Sequence, residues 1–67
     1  MTYLFIELLY VPEQVLKSLK TKLDEINIYH TLYCDEKELR LSCITDLDVK
    51  IVKVVLDHFD ISEYYTD

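Results

Sequence analysis

The residues able to do chemistry in this chain are few and scattered. His30, His58, Cys34 and Cys43 are its only imidazoles and thiols. A structural zinc site needs four converging donors, usually arriving as two pairs at short spacing. No Cys-x-x-Cys and no His-x-x-x-His pair occurs, so the sequence predicts no metal, but two small buried thiols and a partly buried imidazole. Nucleophilic catalysis requires a nucleophile with a base and an orienting group in hydrogen-bond reach. Ser18, Ser42 and Ser62 have no such company in sequence. The chain has no glycine, which removes phosphate-cradling loops and dinucleotide fingerprints. Glu7, isolated in an apolar run, is the one carboxylate placed to serve as a general acid. Pairing with Arg40 across a sheet is the plainer expectation for it. The sequence thus predicts a protein that is not an enzyme and carries no cofactor.

The carboxylates are more conspicuous as a population. Thirteen Asp and Glu stand against seven Lys and Arg, for a formal net charge of −6. Affinity for nucleic acid and for anionic membrane comes chiefly from Lys and Arg, so neither is an expected direct ligand. A larger protein with a basic surface is the natural complement. The acids gather at Asp24-Glu25, at Asp35, Glu36 and Glu38, at Asp46 and Asp48, and at Asp57, Asp60, Glu63 and Asp67. Spaced carboxylates can imitate phosphates and occupy the basic groove of a nucleic-acid enzyme. Turn and cap preferences explain any one cluster equally well. Only the excess over the whole chain favours mimicry.

Sixty-seven residues make one domain, with an apolar fraction of 51% that a core of this size cannot wholly hide. No apolar run reaches the roughly 18 residues of a membrane span. No basic segment precedes the first apolar run, so a secretory signal is not expected and the cytoplasm is the default. Tyr3 to Val11 reads as a buried strand interrupted only by Glu7. Pro12 ends it and suits a first helical position. Val15, Leu16, Leu19, Leu23 and Ile26 follow at helical spacing, and Asn27 suits a left-handed cap. Asn27 to Cys34 and Leu39 to Thr45 alternate as a hairpin around a charged turn. A turn centred on Glu36-Lys37 would set Cys34 against Leu39, Leu32 against Leu41 and His30 against Cys43. Thr45-Asp46-Leu47-Asp48 resembles a capping box. The period of the next residues predicts a helix whose core face holds Leu47, Ile51, Val54, Val55 and Phe59. Ile61 to Tyr65 is expected as a short edge strand.

The order β-α-β-β-α-β predicts a ferredoxin-like α+β fold, a four-stranded antiparallel sheet with two helices on one face. If the last strand fails, the fold becomes βαββα with a C-terminal tail. The other sheet face is left bare. Alternation assigns it Tyr3, Phe5, Glu7 and Leu9, then Tyr29, Thr31 and Tyr33, then Arg40, Ser42 and Ile44. Aromatics around an arginine have the composition of protein-binding hot spots. An aromatic sheet face on this topology resembles the RNA-recognition motif. That resemblance is one of topology, since Leu39-Arg40-Leu41-Ser42-Cys43-Ile44-Thr45 lacks the glycine and paired aromatics of the family signature.

The expected function is therefore a small acidic protein-binding module. Its sharpest form is an inhibitor, of the type phages or mobile elements encode, that occludes a basic nucleic-acid-binding surface on a host enzyme. Contact would run through Tyr3, Phe5, Glu7, Tyr29, Tyr33 and Arg40 on the sheet, and Asp35, Glu36, Glu38, Asp57 and Asp60 at the turns. The alternative is a homodimeric, small-ligand-sensing regulatory domain of the ACT type, which shares the topology. In either case the open sheet face is the expected dimer contact if a second copy covers it.

Overall fold

The chain's computed structural model describes residues 1–67. Six elements follow one another: β1 (Thr2–Glu7), α1 (Glu13–Glu25), β2 (Tyr29–Tyr33), β3 (Glu38–Cys43), α2 (Asp46–His58) and β4 (Tyr64–Thr66). The strands form one antiparallel sheet in the order β2-β3-β1-β4. This is the ferredoxin-like βαββαβ arrangement, with β1 and β3 central. The last strand forms, so the βαββα fallback does not apply.

Local chemistry explains where the helices begin and end. Pro12 is the N-cap of α1, with φ −61° and ψ 148°, and the Leu16 N–H donates to its carbonyl. Proline loses nothing there, because a first-turn N–H has no helical acceptor. It sits one position earlier than expected. At the far end Asn27 turns left-handed at φ 59°, letting the Ile28 N–H reach the Leu23 carbonyl at 2.9 Å. The start of α2 is a true capping box. The Asp48 N–H donates to Thr45 Oγ1, and the Thr45 N–H donates to Asp48 Oδ2, each at 3.2 Å. Asp60 ends α2 at φ 57°, and Lys37 closes the hairpin turn at φ 50°.

Twelve residues form the core, and all are apolar. Leu4 and Ile6 of β1 and Leu39, Leu41 and Cys43 of β3 point to the helices. Leu19 and Leu23 of α1 and Val52, Val55 and Leu56 of α2 cover them, with Ile28 and Ile61 closing the ends. No buried side-chain nitrogen or oxygen is left without a partner.

Four expectations need correction. The core face of α2 holds Val52, Val55 and Leu56, while Leu47, Ile51 and Val54 are exposed. β1 stops at Glu7, because the Leu8 N–H turns to the Lys37 carbonyl and the Val11 N–H to that of Leu8. Leu9 and Tyr10 consequently stand out in solvent rather than extending the strand. The hairpin register is Tyr33 with Glu38, Leu32 with Leu39 and His30 with Leu41. It is displaced from the expected pairing by two residues, which leaves Cys34 in an exposed turn and Ile44 beyond the end of β3. The final strand is Tyr64–Thr66 rather than Ile61 to Tyr65. Ile61 is instead a core residue.

Candidate functional site

The sheet face opposite the helices carries three transverse rows set by the strand register. Tyr29, Ser42 and Tyr3 form one; Thr31, Arg40, Phe5 and Tyr65 form the next; Tyr33, Glu38 and Glu7 form the third. Tyr3, Phe5, Tyr29, Thr31, Tyr33, Arg40 and Ser42 line one shallow depression of about 430 Å³. The alternation of β-strands produces this grouping, since residues two apart share a face. Tyr29, one of its lining residues, is 72% exposed.

Arg40 organises the middle of this face. Its Nε donates to Glu38 Oε1 at 2.6 Å and its Nη2 to Glu36 Oε2 at 2.9 Å. Its guanidinium lies 4.0 Å from the Tyr33 ring centroid and 5.5 Å from that of Phe5. The Glu38 hydrogen bond is the chief cause that raises the Arg40 pKa above its ordinary value. The only cation on this face is thus held by two carboxylates and stacked on an aromatic ring. Glu7 is not its partner. Glu7 lies opposite Glu38 in the ladder and is exposed, so the face as a whole remains acidic.

Tyr65 is the member that alternation along the sequence did not supply. Its ring stacks on Phe5 at 5.0 Å and 21°, and its hydroxyl donates to Glu38 Oε2 at 3.3 Å. Burial, followed by the nearby Glu38 charge, raises the Tyr65 pKa above its ordinary 10.0. The signal was present, because an antiparallel strand beginning at Tyr64 sets Tyr65 against Phe5. A strand begun at Ile61 hides it.

The remaining acidic candidates divide between layers. Asp35 is exposed in the β2–β3 turn beside Glu36. Asp57 and Asp60 lie at the C-terminal end of α2, at the same end of the molecule but on the helical side. There Asp60, Glu7 and Glu63 border a second depression of about 270 Å³, floored by Val11, Val15, Phe59 and Ile61. The carboxylates therefore make no single continuous stripe.

The imidazoles and thiols lie apart. His30 Nδ1 is 2.9 Å from the Ile28 carbonyl, and its Nε2 is 3.8 Å from Asp24 Oδ1. His58 packs edge-on against Phe59. Cys43 is buried, and that burial, aided by the charge of Asp48, pushes its thiol pKa up, whereas Cys34 is exposed. No three histidine, cysteine or acidic side chains converge as metal donors, and no helix is long and apolar enough to cross a membrane. Comparison with protein-family models, curated proteins and solved structures returned no match.

Proposed function

We propose that this chain is a non-catalytic binding module whose bare sheet side docks on a larger protein with a basic, partly apolar surface. The observation that carries this reading is the state of Arg40. Its charge is taken up by Glu36 and Glu38, so the aromatic platform of Tyr3, Phe5, Tyr29 and Tyr33 is acidic at its border and has no free cation. Exposed tyrosines supply rigid contact area, and unpaired carboxylates such as Glu7 select a partner rich in Lys or Arg. In its sharpest form the module is an inhibitor, of the phage or mobile-element kind, in which carboxylates take the place of phosphates. Asp35, Asp57 and Asp60 would then extend the contact around the end of the molecule. This form rests on charge alone.

The fold itself gives more support to a second reading, a homodimeric ligand-sensing domain of the ACT type. The depression between the β1–α1 and α2–β4 connections favours it, having an apolar floor and three carboxylates at its border. Such a site suits a small molecule with an apolar body and an amine.

The two readings separate by nuclear magnetic resonance with an amphipathic Lys/Arg-rich peptide as probe. Docking on the sheet shifts the amides of Tyr3, Tyr29, Tyr33 and Ser42 and weakens about tenfold between low and high salt, because exposed charges are screened over about 8–10 Å. Shifts confined to Val11, Val15 and Phe59, or binding indifferent to salt, would remove the sheet-face reading. A small amine that raises the melting temperature would support the second, since a ligand of the native state stabilises it.

A further inference from the structure

Between the β1–α1 and α2–β4 connections the core comes to the surface. Ile61 is buried, and Val11, Val15 and Phe59 are partly buried side chains packed against the core. Together they floor the depression of about 270 Å³ whose border carries Glu7, Asp60 and Glu63. Main-chain bonds hold its walls. The Glu7 N–H donates to the Glu63 carbonyl at 2.9 Å, the Val11 N–H to that of Leu8 at 3.1 Å, and the Asp60 N–H to that of Asp57 at 3.1 Å. Pro12, with its φ locked by the ring, lines the depression beside them. A cleft built this way is formed before a ligand arrives, which lowers the entropic cost of binding.

Charge sets this depression apart from the others. No lysine, arginine or histidine lines it. Four further depressions of about 320–430 Å³ each have Lys17, Lys22, Arg40 or Lys53 in the wall. Glu7, Asp60 and Glu63 enter no ion pair and accept no side-chain hydrogen bond. An exposed carboxylate alone holds a cation weakly, but here an uncovered apolar floor lies beside it to take a ligand's hydrocarbon body. A ligand that also carried a carboxylate would meet three like charges. Main-chain donors to receive it are scarce, because the N–H groups of Glu7, Val11, Asp60 and Ile61 already serve backbone carbonyls and Pro12 has none. Glu13 adds a negative charge in the first turn of α1, where an anion would otherwise be favoured. The volume falls just below the roughly 300–1,000 Å³ of drug-sized sites, so the ligand is no larger than a ring with a short chain.

We infer that this depression binds a compact organic cation, an aryl- or alkylamine, and discriminates by charge against the α-amino acid of the same side chain. The inference deepens the ligand-sensing reading and rests on it. It adds the ligand's chemical class and the group that the site rejects.

Nuclear magnetic resonance titration of the full chain at pH 7 and low salt tests it with three probes that share one ring: phenethylamine, phenylalanine and phenylacetate. The amine is protonated there, as a lysine side chain is. The expected result is that phenethylamine shifts the amides of Val11, Val15, Ile61 and Glu63, phenylalanine binds about tenfold more weakly or less, and phenylacetate leaves the spectrum unchanged. The double variant Asp60→Asn, Glu63→Gln keeps the fold, since asparagine tolerates the left-handed φ of 57° at position 60. It is expected to bind phenethylamine about tenfold more weakly, with its melting temperature retained. Phenylalanine binding at the same amides as tightly as the amine overturns the inference and leaves the ligand-sensing reading standing, with the ligand's carboxylate at the start of α1. A double variant that binds the amine as wild type does overturns it as well. Silence at these amides towards all three probes removes the inference and the ligand-sensing reading together.

Discussion

Tyr65 shows how much of the candidate surface depends on single side chains. Its ring covers Phe5 and its hydroxyl donates to Glu38, and both the burial and the neighbouring charge oppose its ionisation. A tyrosine whose folded pKa lies above its unfolded value stabilises the fold fully below about pH 10, and that contribution is lost as pH rises through the folded value. Wild type is therefore expected to lose melting temperature above about pH 10 more steeply than Tyr65→Phe, which has no proton to release there. Parallel alkaline profiles for the two proteins would show that Tyr65 titrates as freely folded as unfolded. The sheet-side identity of Tyr3, Phe5, Tyr29, Tyr33 and Arg40 was legible beforehand, because alternation needs only a parity. The partner of Arg40 was not. Guanidinium pairing depends on which carboxylates its reach and the turn bring near, and Glu38 on its own strand and Glu36 in the turn displace Glu7.

At the scale of elements, the boundaries with a chemical signature were readable and the orientations were not. Pro12, Asn27 and the Thr45–Asp48 box each act through one or two hydrogen bonds close in sequence, so they declare themselves locally. The inward face of α2 is a tertiary choice. Leu47, Val49, Ile51, Val52, Val54, Val55 and Leu56 spread apolar groups around much of the helix, and periodicity then tolerates a rotation of the whole element. The hairpin failed for a related reason. A slip of two residues keeps every side chain on its face, so alternation cannot detect it. Leu56→Ala should cost about 2–5 kcal/mol, as expected for a leucine removed from a closed core, and Val54→Ser should stay within about 0.5 kcal/mol. Equal losses by chemical denaturation would mean that α2 is turned otherwise. Thr45→Ala should cost about 1 kcal/mol through the lost cap.

For the molecule as a whole, charge is set against a small core. Twelve buried residues hold together a chain of formal charge −6. Self-repulsion of this kind acts against the compact state and is relieved by screening. Moving from low to physiological ionic strength should raise the melting temperature by about a few degrees, measured at a concentration where sedimentation shows monomer. A melting temperature that falls with salt would mean that attractive pairs, Arg40 with Glu36 and Glu38 foremost, outweigh the repulsion. The order of strands and helices was legible at this scale because composition, period and turn chemistry agreed. The exposure of Leu47, Ile51 and Val54 was not, since it required knowing which way α2 faces.

The three left-handed positions, Asn27, Lys37 and Asp60, have a consequence for the denatured chain. Each stands where glycine would adopt the same backbone with less steric cost, yet the protein contains none. Every link in the disordered ensemble consequently carries a Cβ that narrows its choice of dihedrals, so fewer conformations are surrendered when the polypeptide orders. Part of what lets so short a sequence hold its shape thus resides in the poverty of its alternatives.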